Sequence, residues 1–281
     1  MYLSVIISTY NQPQWLEKVL YGYLQQTYKD FEVVIADDGS NKETFDLIER
    51  IKSFAFYPIK HVWHPDEGFR KCTILNKAII ASTGTYLVFT DGDCVPRSDF
   101  LQRHVNFHEP GFFLSGGMYR LNIDVSHKIT IDDIQSQRCF SLSYLRGLGQ
   151  RRRFLKDLKL SLKKPRIIAI MNSTTPTIAS WNGHNASGWK TDLLEVDGFD
   201  ERMKYGGEDR ELGERLFNNG IKSKQIRYSA ICLHLEHKRG YVTKEDWINN
   251  FKIRRETRKE RKKFTPFGIQ RPIDPTDSSM K

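Results

Sequence analysis

The sequence lacks any apolar run long enough to cross a bilayer, and none of its four cysteines belongs to a CxxC pair. The first absence argues against a membrane-spanning helix, and the second argues against a zinc site or a disulfide framework. Residues 1–4 also lack the basic start of a secretory signal peptide. With 39% hydrophobic and 28% charged residues among 281, the composition is that of a soluble globular protein. We therefore expect a cytoplasmic protein with free thiols.

Negative charge is in deficit, since the net charge is +10 and the sequence pI is about 9.3. The excess lies mainly in residues 151–164 and 252–263. In the first block four apolar residues fall near helical spacing among cations: Phe154, Leu155, Leu158 and Leu162. This pattern is typical of an amphipathic helix on an anionic membrane surface, and equally of a solvated helix that packs on its own domain. No helix-turn-helix, zinc or RNP-type signature accompanies the charge, so we expect no nucleic-acid partner.

The first 90 residues alternate between strand-like and helix-like patterns. Four short apolar segments predict strands: Leu3 to Ser8, Phe31 to Ala36, Ile59 to Trp63 and Tyr86 to Thr90. Helical patterns lie between them, beginning at Pro13, after Asn41 and around Ile74. Uniformly apolar strands separated by helices predict an α/β fold with a mostly parallel sheet that is buried on both faces.

Polar clusters stand where the predicted strands end: Thr9-Tyr10-Asn11, Asp37-Asp38, Asp66 to Arg70 and Asp91-Gly92-Asp93. Ligands collect at the carboxyl ends of parallel strands, so we expect these clusters to share one binding site. Two carboxylates that flank one small residue can hold Mg²⁺ or Mn²⁺ beside a phosphate. The same triplet is also ordinary turn chemistry.

After about residue 120 the alternation fails, and the next stretch is helix-like and basic. Ile167 to Ile170 predicts one further strand, and residues 174–189 are loop-like. Gly206-Gly207 precedes a helical pattern. From Thr265 onward the chain is polar and rich in proline, which predicts an extended or disordered tail.

Four motifs resemble those of the family-2 glycosyltransferases with the GT-A fold. Three are Val5 to Asn11, Val33 to Ser40 and Phe89 to Asp93. The fourth, Trp189 to Asp200 followed by Tyr205 to Asp209, looks like the C-terminal half of galactosyltransferase-type and chondroitin-polymerase-type enzymes. Together they span residues 3 to about 240 in the family's order, which makes a chance match improbable.

The resemblance implies a GT-A, Rossmann-like, mostly parallel sheet flanked by helices. It divides the chain into a donor-binding half, residues 1–120, and an acceptor-binding and catalytic half of the same domain, residues 121–245. Residues 246–281 would then form a helical, basic C-terminal extension.

The resemblance also implies a divalent metal site for Mn²⁺ or Mg²⁺. Asp93 would be the direct ligand, and Asp91 would contact the ribose of the donor or the metal through water. His234 would complete the metal site, with His237 as the alternate. A histidine beside an apolar strand is also often structural.

On the nucleotide side, Asp38 would hold the base or the ribose, while Asp37 would stabilise its loop. Four further residues would line the same pocket: Thr9, Tyr10, Asn11 and Gly92. Asn11 also fits a purely structural turn. Arg70 is favoured over Lys71 for neutralising the diphosphate, because a guanidinium fork suits phosphate oxygens.

The catalytic group is expected at the start of the helix after the two glycines. Backbone N–H groups there should keep a carboxylate ionised near neutral pH. By resemblance Asp209 is the general base and Glu208 binds acceptor hydroxyls, although helix capping is the simpler role for both. Tyr205 could stack on a sugar; it and Arg210 depart from the galactosyltransferase branch, which leaves the acceptor open.

Aromatic and amide side chains in Trp181 to Asn185, and Trp189, are placed where related enzymes shape the donor-sugar pocket. Trp189 also fits a core position. The expected function is metal-dependent, inverting transfer of a hexose or N-acetylhexosamine from a UDP-sugar to a saccharide or lipid-linked saccharide. Surface polysaccharide synthesis at the inner face of a bacterial membrane would be its setting.

Two other classes compete with this function. A nucleotidyltransferase also uses paired aspartates on a Rossmann-like sheet, but typically brings a phosphate loop rich in glycine and basic residues, absent from Ser8 to Asn11. A basic nucleic-acid-binding protein would account for the charge but not for the metal and base motifs together.

Overall fold

The computed structural model describes residues 1–237 and 243–269 of the protein. Its strands are β1 (Leu3–Thr9), β2 (Phe31–Asp37), β3 (Ile59–Trp63), β4 (Tyr86–Asp91), β5 (Cys94–Pro96), β6 (Phe112–Ser115), β7 (Gly117–Arg120), β8 (Ala186–Trp189), β9 (Lys222–Gln225) and β10 (Ile231–His234). Seven of them form one sheet in the order β3-β2-β1-β4-β8-β6-β9. The other three form a small sheet in the order β5-β10-β7.

The strands β3, β2, β1 and β4 run parallel, as the apolar pattern predicts. Thr9 at the end of β1 pairs with Asp37 of β2, and Ser8 pairs with Asp91 of β4. The interiors of β1, β2 and β4 are buried on both faces, because helices cover the sheet on either side, whereas β3 at its edge is mostly half-buried. This register sets the polar strand ends next to one another at a single edge.

The helices are α1 (Pro13–Leu24), α2 (Lys42–Lys52), α3 (Lys71–Ala81), α4 (Phe100–Phe107), α5 (Ile123–Lys128), α6 (Ile131–Gln135), α7 (Leu142–Gly147), α8 (Phe154–Ser161), α9 (Pro165–Ser173), α10 (Lys190–Glu195), α11 (Glu208–Asn218) and α12 (Lys244–Lys259), with a 3₁₀ turn at Arg138–Phe140. Asn41 caps α2 as predicted, because its side chain accepts a hydrogen bond from Glu43 N. Among the described helices, none has the length and apolarity of a membrane span.

The prediction of a strand at Ile167 to Ile170 is wrong, since this segment lies inside α9. Pro165 starts that helix, and the side chains of Ile167 and Ile170 are exposed instead of entering the sheet. A short apolar run does not by itself distinguish a strand from a helix. Sequence reasoning missed several short strands, among them β8 at the end of the stretch predicted as loop.

Strand β8 joins the two halves of the chain, because it pairs antiparallel with both β4 and β6. Phe89 of β4 lies opposite Ala186 of β8, so the residues that follow β4 lie beside those that precede β8. In the small sheet, His234 of β10 lies opposite Cys94 of β5. Both pairings direct C-terminal residues towards Asp91-Gly92-Asp93.

Helix α11 is held by a buried ion pair. The side chains of Arg215 and Glu211 are almost fully buried, with 2.8 Å between nitrogen and oxygen. Arg215 also donates hydrogen bonds to backbone carbonyls in residues 196–198, and Glu211 accepts one of 2.8 Å from Thr257 of α12. The pair therefore fixes α11, whose first turn carries the predicted base, against two other segments.

The prediction of an extended or disordered tail is wrong for residues 265–269. Thr265 Oγ1 donates a 2.8 Å hydrogen bond to Asp200, and Ile269 N donates one of 3.1 Å to Asp197 O. This segment therefore packs back on the turn before α11. The rest of the predicted tail lies outside the described residues.

We expect Arg215→Gln to lower the free energy of unfolding by about 3–5 kcal/mol, because Glu211 would remain as a buried charge without its partner. Urea unfolding followed by circular dichroism measures the change. Arg255→Gln, at an exposed position of α12, is the control and should stay within about 0.5 kcal/mol of wild type. Equal stability of the two variants would contradict the structural role of the pair.

Candidate active site

A cavity of about 720 Å³ opens at the edge where the parallel strands end. The predicted site residues that line it are Thr9, Tyr10, Asn11, Asp38, Asp91, Gly92, Asp93, Tyr205, Glu208, Asp209, His234 and His237. Residues predicted for the donor, the metal and the catalytic step therefore lie in one cavity. Arg70, predicted to neutralise the diphosphate, is absent from its walls.

Lys71, which the sequence analysis ranks below Arg70 for neutralising the diphosphate, lines the cavity. Lys71, at the start of α3, places Nζ 2.8 Å from Asp91 Oδ1, which also accepts a hydrogen bond from Ser8 Oγ. Burial works against ionisation of Asp91, but the Lys71 ammonium and the Ser8 hydroxyl hold its pKa well below the usual range. Burial also opposes the charge on Lys71, yet the nearby carboxylates raise the pKa of its ammonium well above its usual value. Both groups are therefore charged.

The position of Arg70 differs from expectation. Its guanidinium pairs with Glu67 outside the cavity, and its backbone N–H is the group that reaches the site, donating 3.0 Å to Asp38 Oδ2. The preference for Arg70 rested on the fit between a guanidinium and a phosphate. The chemistry of a guanidinium does not determine in which direction the side chains of Arg70 and Lys71 point at the start of α3.

Two histidines converge on Asp93. Nε2 of His234 lies 3.3 Å from Asp93 Oδ2, and Nε2 of His237 lies 3.0 Å from the same oxygen. The two imidazole rings are nearly parallel, with centroids 6.3 Å apart. Proximity therefore does not decide between the two histidines.

This set of side chains fits a divalent cation, because carboxylate oxygens and imidazole nitrogens both ligate Mn²⁺. Asp91, Asp93 and Cys94 also offer atoms within 4.8 Å of one another. Burial, with the neighbouring Cys232 thiol, raises the pKa of the Cys94 thiol well above its usual value. That thiol donates a hydrogen bond to Asp93 Oδ1, so Cys94 supports the carboxylate and is a poor ligand itself.

The two aspartates at the end of β2 face different surroundings. Asp38 lines the cavity and lies 2.7 Å from His64 Nε2; burial raises the pKa of its carboxyl group, with His64 opposing that change. Asp37 accepts a hydrogen bond from Ser40 N and lies 2.8 Å from His61 Nε2. These contacts give Asp37 the loop-stabilising position that the sequence suggests.

The end of β1 and the turn that follows it, residues 9–11, contain two side chains that shape the loop and one hydroxyl available to a ligand. Asn11 has a φ of 46°, and its Oδ1 accepts a hydrogen bond from Asn41 N, so its side chain shapes the turn. Tyr10 OH donates to Asp66 Oδ2. The buried Thr9 hydroxyl has no hydrogen-bond partner within the described part of the chain. Thr9 is therefore the member of this segment with a donor available to a ligand.

Glu208 and Asp209 begin α11 immediately after Gly207. The φ of Gly207 is 95°, a left-handed conformation that favours glycine. Glu208 is buried and accepts a hydrogen bond of 2.8 Å from Gly206 N. Asp209 is half-buried, and its Oδ1 has no hydrogen-bond partner among the described residues.

The expectation that Asp209 stays fully ionised near neutral pH is wrong. Burial, and then the neighbouring charge of Glu208, raise the pKa of Asp209 to about 7 against the opposing influence of Lys71. Removal from water therefore outweighs the favourable position at the helix start. A carboxyl group with a pKa near neutrality can accept a proton and release it again, as general acid–base catalysis requires.

The tryptophans predicted near the sugar are core residues. Trp181 is fully buried and packs against Phe89 and Phe113. Trp189 packs against Tyr86, with 5.2 Å between ring centroids. Neither indole lines the main cavity, while Trp181 lines a smaller cavity beside it.

Residues between these tryptophans do reach the site. A Cβ atom at position 183 would lie 2.7 Å from Asp209 Oδ2, so a larger residue there would displace the Asp209 carboxylate. His184 lines the cavity, and burial lowers the pKa of its imidazole to about 4, which leaves it neutral at physiological pH. The antiparallel pairing of β8 with β4 brings this segment to the site, and local sequence patterns do not report it.

Helix α12 lies mostly within the predicted helical, basic extension. It also forms part of the cavity wall, which the sequence does not predict. Trp247 and Arg254 line the cavity, and Arg254 is anchored by an ion pair with Glu214 of α11. The buried Asn250 donates a hydrogen bond of 3.0 Å to Gly206 O. In the sequence, the presence of Trp247 and Asn250 among many cations was the available indication that α12 packs against the domain.

Residues 4–165, more than half of the chain, match the sequence model of Glycosyl transferase family 2. The chain belongs to glycosyltransferase family 2. The resemblance inferred from its motifs is therefore confirmed. This assignment decides against a nucleotidyltransferase.

Similar curated proteins include larger enzymes. Chondroitin synthase of Escherichia coli is 27% identical over 246 residues, which cover 83% of this chain and 34% of that protein. Validoxylamine A glucosyltransferase of Streptomyces hygroscopicus is 28% identical over 236 residues, covering 81% and 54% of the two chains. The chain thus spans about a third to about half of the length of these relatives.

Solved structures confirm the GT-A fold. The complex of S. aureus TarS residues 1–349 with UDP-GlcNAc has a TM-score of 0.62 at 17% identity, covering 90% of this chain and 65% of that one. Mannosyltransferase PcManGT of Pyrobaculum calidifontis, in complex with GDP-Man and Mn²⁺, has a TM-score of 0.57 at 19% identity, covering 91% and 61%.

Carboxyl titration of the metal-free protein should reveal Asp209. We expect one aspartate to titrate near pH 7, and this titration should vanish in Asp209→Asn and move to lower pH in Glu208→Gln, where the neighbouring charge is gone. Carbon-13 NMR of labelled aspartate carboxyl groups measures it. An unchanged midpoint in Glu208→Gln would contradict the coupling of the two residues.

Proposed function

We propose that this glycosyltransferase moves a hexose or N-acetylhexosamine from a UDP-sugar to a saccharide acceptor, with inversion at the anomeric carbon and with a divalent metal. The observation that carries the proposal is one cavity that holds both a metal-type donor set, Asp93 with His234 and His237, and a carboxyl group of pKa about 7, Asp209.

The donor lies along the strand ends. Asp38 and the Thr9 hydroxyl bind the nucleoside, and the Lys71 ammonium neutralises part of the diphosphate charge in place of Arg70. A UDP-sugar is favoured because TarS, a structural neighbour, binds UDP-GlcNAc in the same fold. The side chain of Lys71 is already charged and already held by Asp91, so binding requires little rearrangement.

Asp93, His234 and His237 would hold Mn²⁺ or Mg²⁺, with Asp91 close by. When bound, the ion stabilises the negative charge of the departing nucleoside diphosphate. Cys94 keeps the Asp93 carboxylate in place by hydrogen bonding to its other oxygen.

Asp209 accepts the proton of the acceptor hydroxyl as the hydroxyl oxygen attacks the anomeric carbon. The bond from that carbon to the diphosphate oxygen breaks in the same displacement, so the configuration inverts. Gly183 allows Asp209 to approach the segment before β8, and Glu208 lies beside it to bind acceptor hydroxyls. Tyr205 lines the cavity with its ring edge-on to Phe69, where it offers a face to a sugar.

A surface outside the cavity suits an anionic membrane that carries a lipid-linked acceptor. On α8, Phe154 and Leu155 are 84% and 72% exposed, and on α9 Ile170 is 58% exposed. The exposed cations of the same segment are Arg151, Arg152, Lys156, Lys163, Lys164 and Arg166. Apolar side chains and cations together match the chemistry of an anionic bilayer surface. The enzyme would then work at the inner face of the membrane in surface polysaccharide synthesis.

A panel of nucleotide sugars with and without Mn²⁺ tests the donor and the metal. We expect slow hydrolysis of at least one UDP-sugar that depends on the metal, and we expect Asp93→Asn to remove the Mn²⁺ dependence. The proposal would be refuted if no donor binds or reacts and if Asp93→Asn binds the donors as the wild-type protein does.

The same panel tests the base. Asp209→Asn should lower transfer to an acceptor by about 10²–10⁴-fold, the usual contribution of a general base, while the affinity for the donor is kept. Initial rates of transfer and calorimetric binding of UDP give the two quantities. Equal loss of transfer and of donor binding would show that Asp209 holds the donor instead.

Flotation with vesicles tests the membrane surface. The protein should float with vesicles that contain phosphatidylglycerol and not with neutral ones. The double substitution of Phe154 and Leu155 by serine should lower the bound fraction at least about fivefold, because the apolar contact is lost. Ile80→Ser, at another exposed apolar position on α3, is the control. Binding that survives the double substitution would contradict this surface.

A further inference from the structure

A second cavity, of about 370 Å³, adjoins the first and shares five residues with it: Met118, His184, Gly207, Asp209 and Arg210. Three cationic side chains line this second cavity: Lys159, Arg210 and Arg227. Asp209 is the one carboxylate on its walls among the described residues. The cavity therefore combines the proposed base with an excess of positive charge.

These cations have no carboxylate partner within residues 1–237 and 243–269. Lys159 Nζ donates 2.7 Å to Met118 O, which uses one of its three N–H groups. Arg210 and Arg227 make neither an ion pair nor a side-chain hydrogen bond to any described residue, whereas Arg215 and Arg254 on neighbouring segments are fully paired. Several N–H donors are consequently available at the cavity.

The two half-buried cations, Lys159 and Arg227, repel each other. Burial, and then the charge of Arg227, lower the pKa of Lys159 to about 8. Charged groups that are partly removed from water and face one another are costly for a fold. An anion between them would offset this cost.

We propose that the second cavity binds the acceptor through an anionic group, a phosphate or a carboxylate, held by Lys159 and Arg227 with Arg210 at the entrance. The acceptor hydroxyl then lies at Asp209, on the wall that both cavities share. The inference rests on the proposed function, because it takes Asp209 as the base.

The charge distribution assigns the two substrates to different cavities. Carboxylates outnumber cations on the walls of the first cavity, where Asp38, Asp91, Asp93, Glu208 and Asp209 stand against Lys71, Arg210 and Arg254. A diphosphate binds there with the help of a divalent cation. In the second cavity the positive charge is supplied by the protein itself, so an anion needs no metal.

Two sources can supply the anion. One is the diphosphate that joins a saccharide to a lipid, which the exposed apolar residues of α8 would bring close. The other is the carboxylate of an acidic sugar. A guanidinium binds either one through paired hydrogen bonds.

The test uses three acceptors with the same sugar configuration: a neutral octyl glycoside, its octyl glycuronide and an octyl diphosphate-linked sugar. Transfer is measured at low ionic strength with the donor found in the hydrolysis panel. We expect one of the charged acceptors to have a KM about tenfold below that of the neutral one, as charge-assisted hydrogen bonds provide. Which charged acceptor has this advantage identifies the source.

Substitution of Arg227 links the effect to the cavity. Arg227→Gln should remove most of the tenfold advantage, and Arg227→Lys should restore part of it. Arg255→Gln, at an exposed position away from both cavities, should keep the advantage in full. The ratio of the KM values for charged and neutral acceptors is the readout, because a general loss of fold would change both.

Equal KM values for charged and neutral acceptors, or a ratio that Arg227→Gln leaves unchanged, would overturn the inference. Calorimetric binding of the octyl glycuronide and the neutral octyl glycoside provides a readout that does not need transfer. If no donor reacts, the proposed function fails. Binding that prefers the charged glycoside and is weakened by Arg227→Gln would still support the anion site.

Discussion

The structure around the active site depends on one buried amide, that of Asn185. Its Nδ2 donates hydrogen bonds of 2.9 Å to Gly117 O and 3.0 Å to Ala230 O, and its Oδ1 lies 3.0 Å from Nε2 of the buried His104. Burial lowers the pKa of His104 to about 3, so the ring stays neutral and donates to the amide. One side chain thus ties the small sheet, α4 and the start of β8 together.

This constraint explains how distant parts of the chain form one site. With Asn185 fixed, Gly183 and His184 must lie between the ends of β4 and β10, where Gly183 contacts Asp209. The buried pair Arg215–Glu211 fixes Asp209 from the opposite direction, through α11. The common wall of the two cavities is therefore held on both sides by buried, fully bonded polar groups, which is the arrangement that keeps a reacting group in place.

Much of the fold could be predicted from the sequence, because the parallel strands are local apolar segments and their polar ends follow from the register of the sheet. Asp38, Asp91 and Asp93 were found in this way, and all three line the cavity. The rest depends on pairing between distant segments. Lys71 and Arg70 are adjacent in sequence, and the direction in which each side chain leaves α3 is set by tertiary contacts. The core position of Trp181 likewise follows from its packing against β8, a strand in which three small residues precede Trp189 and give no apolar pattern.

The use of charge separates the parts of the molecule that maintain the fold from those that are available to ligands. Where a cation is buried for structural reasons, as Arg215 is, carboxylates and carbonyls occupy its N–H groups. Lys159 and Arg227 are half-buried without a carboxylate partner among the described residues, and Lys159 makes one hydrogen bond to a backbone carbonyl. A charge at this depth without an opposite charge does not stabilise a fold. Asp209 lies between these cations and the acidic cluster of the first cavity, and its pKa of about 7 is raised by burial and by that cluster. The electrostatic boundary between the two cavities therefore coincides with the residue at which proton transfer would take place.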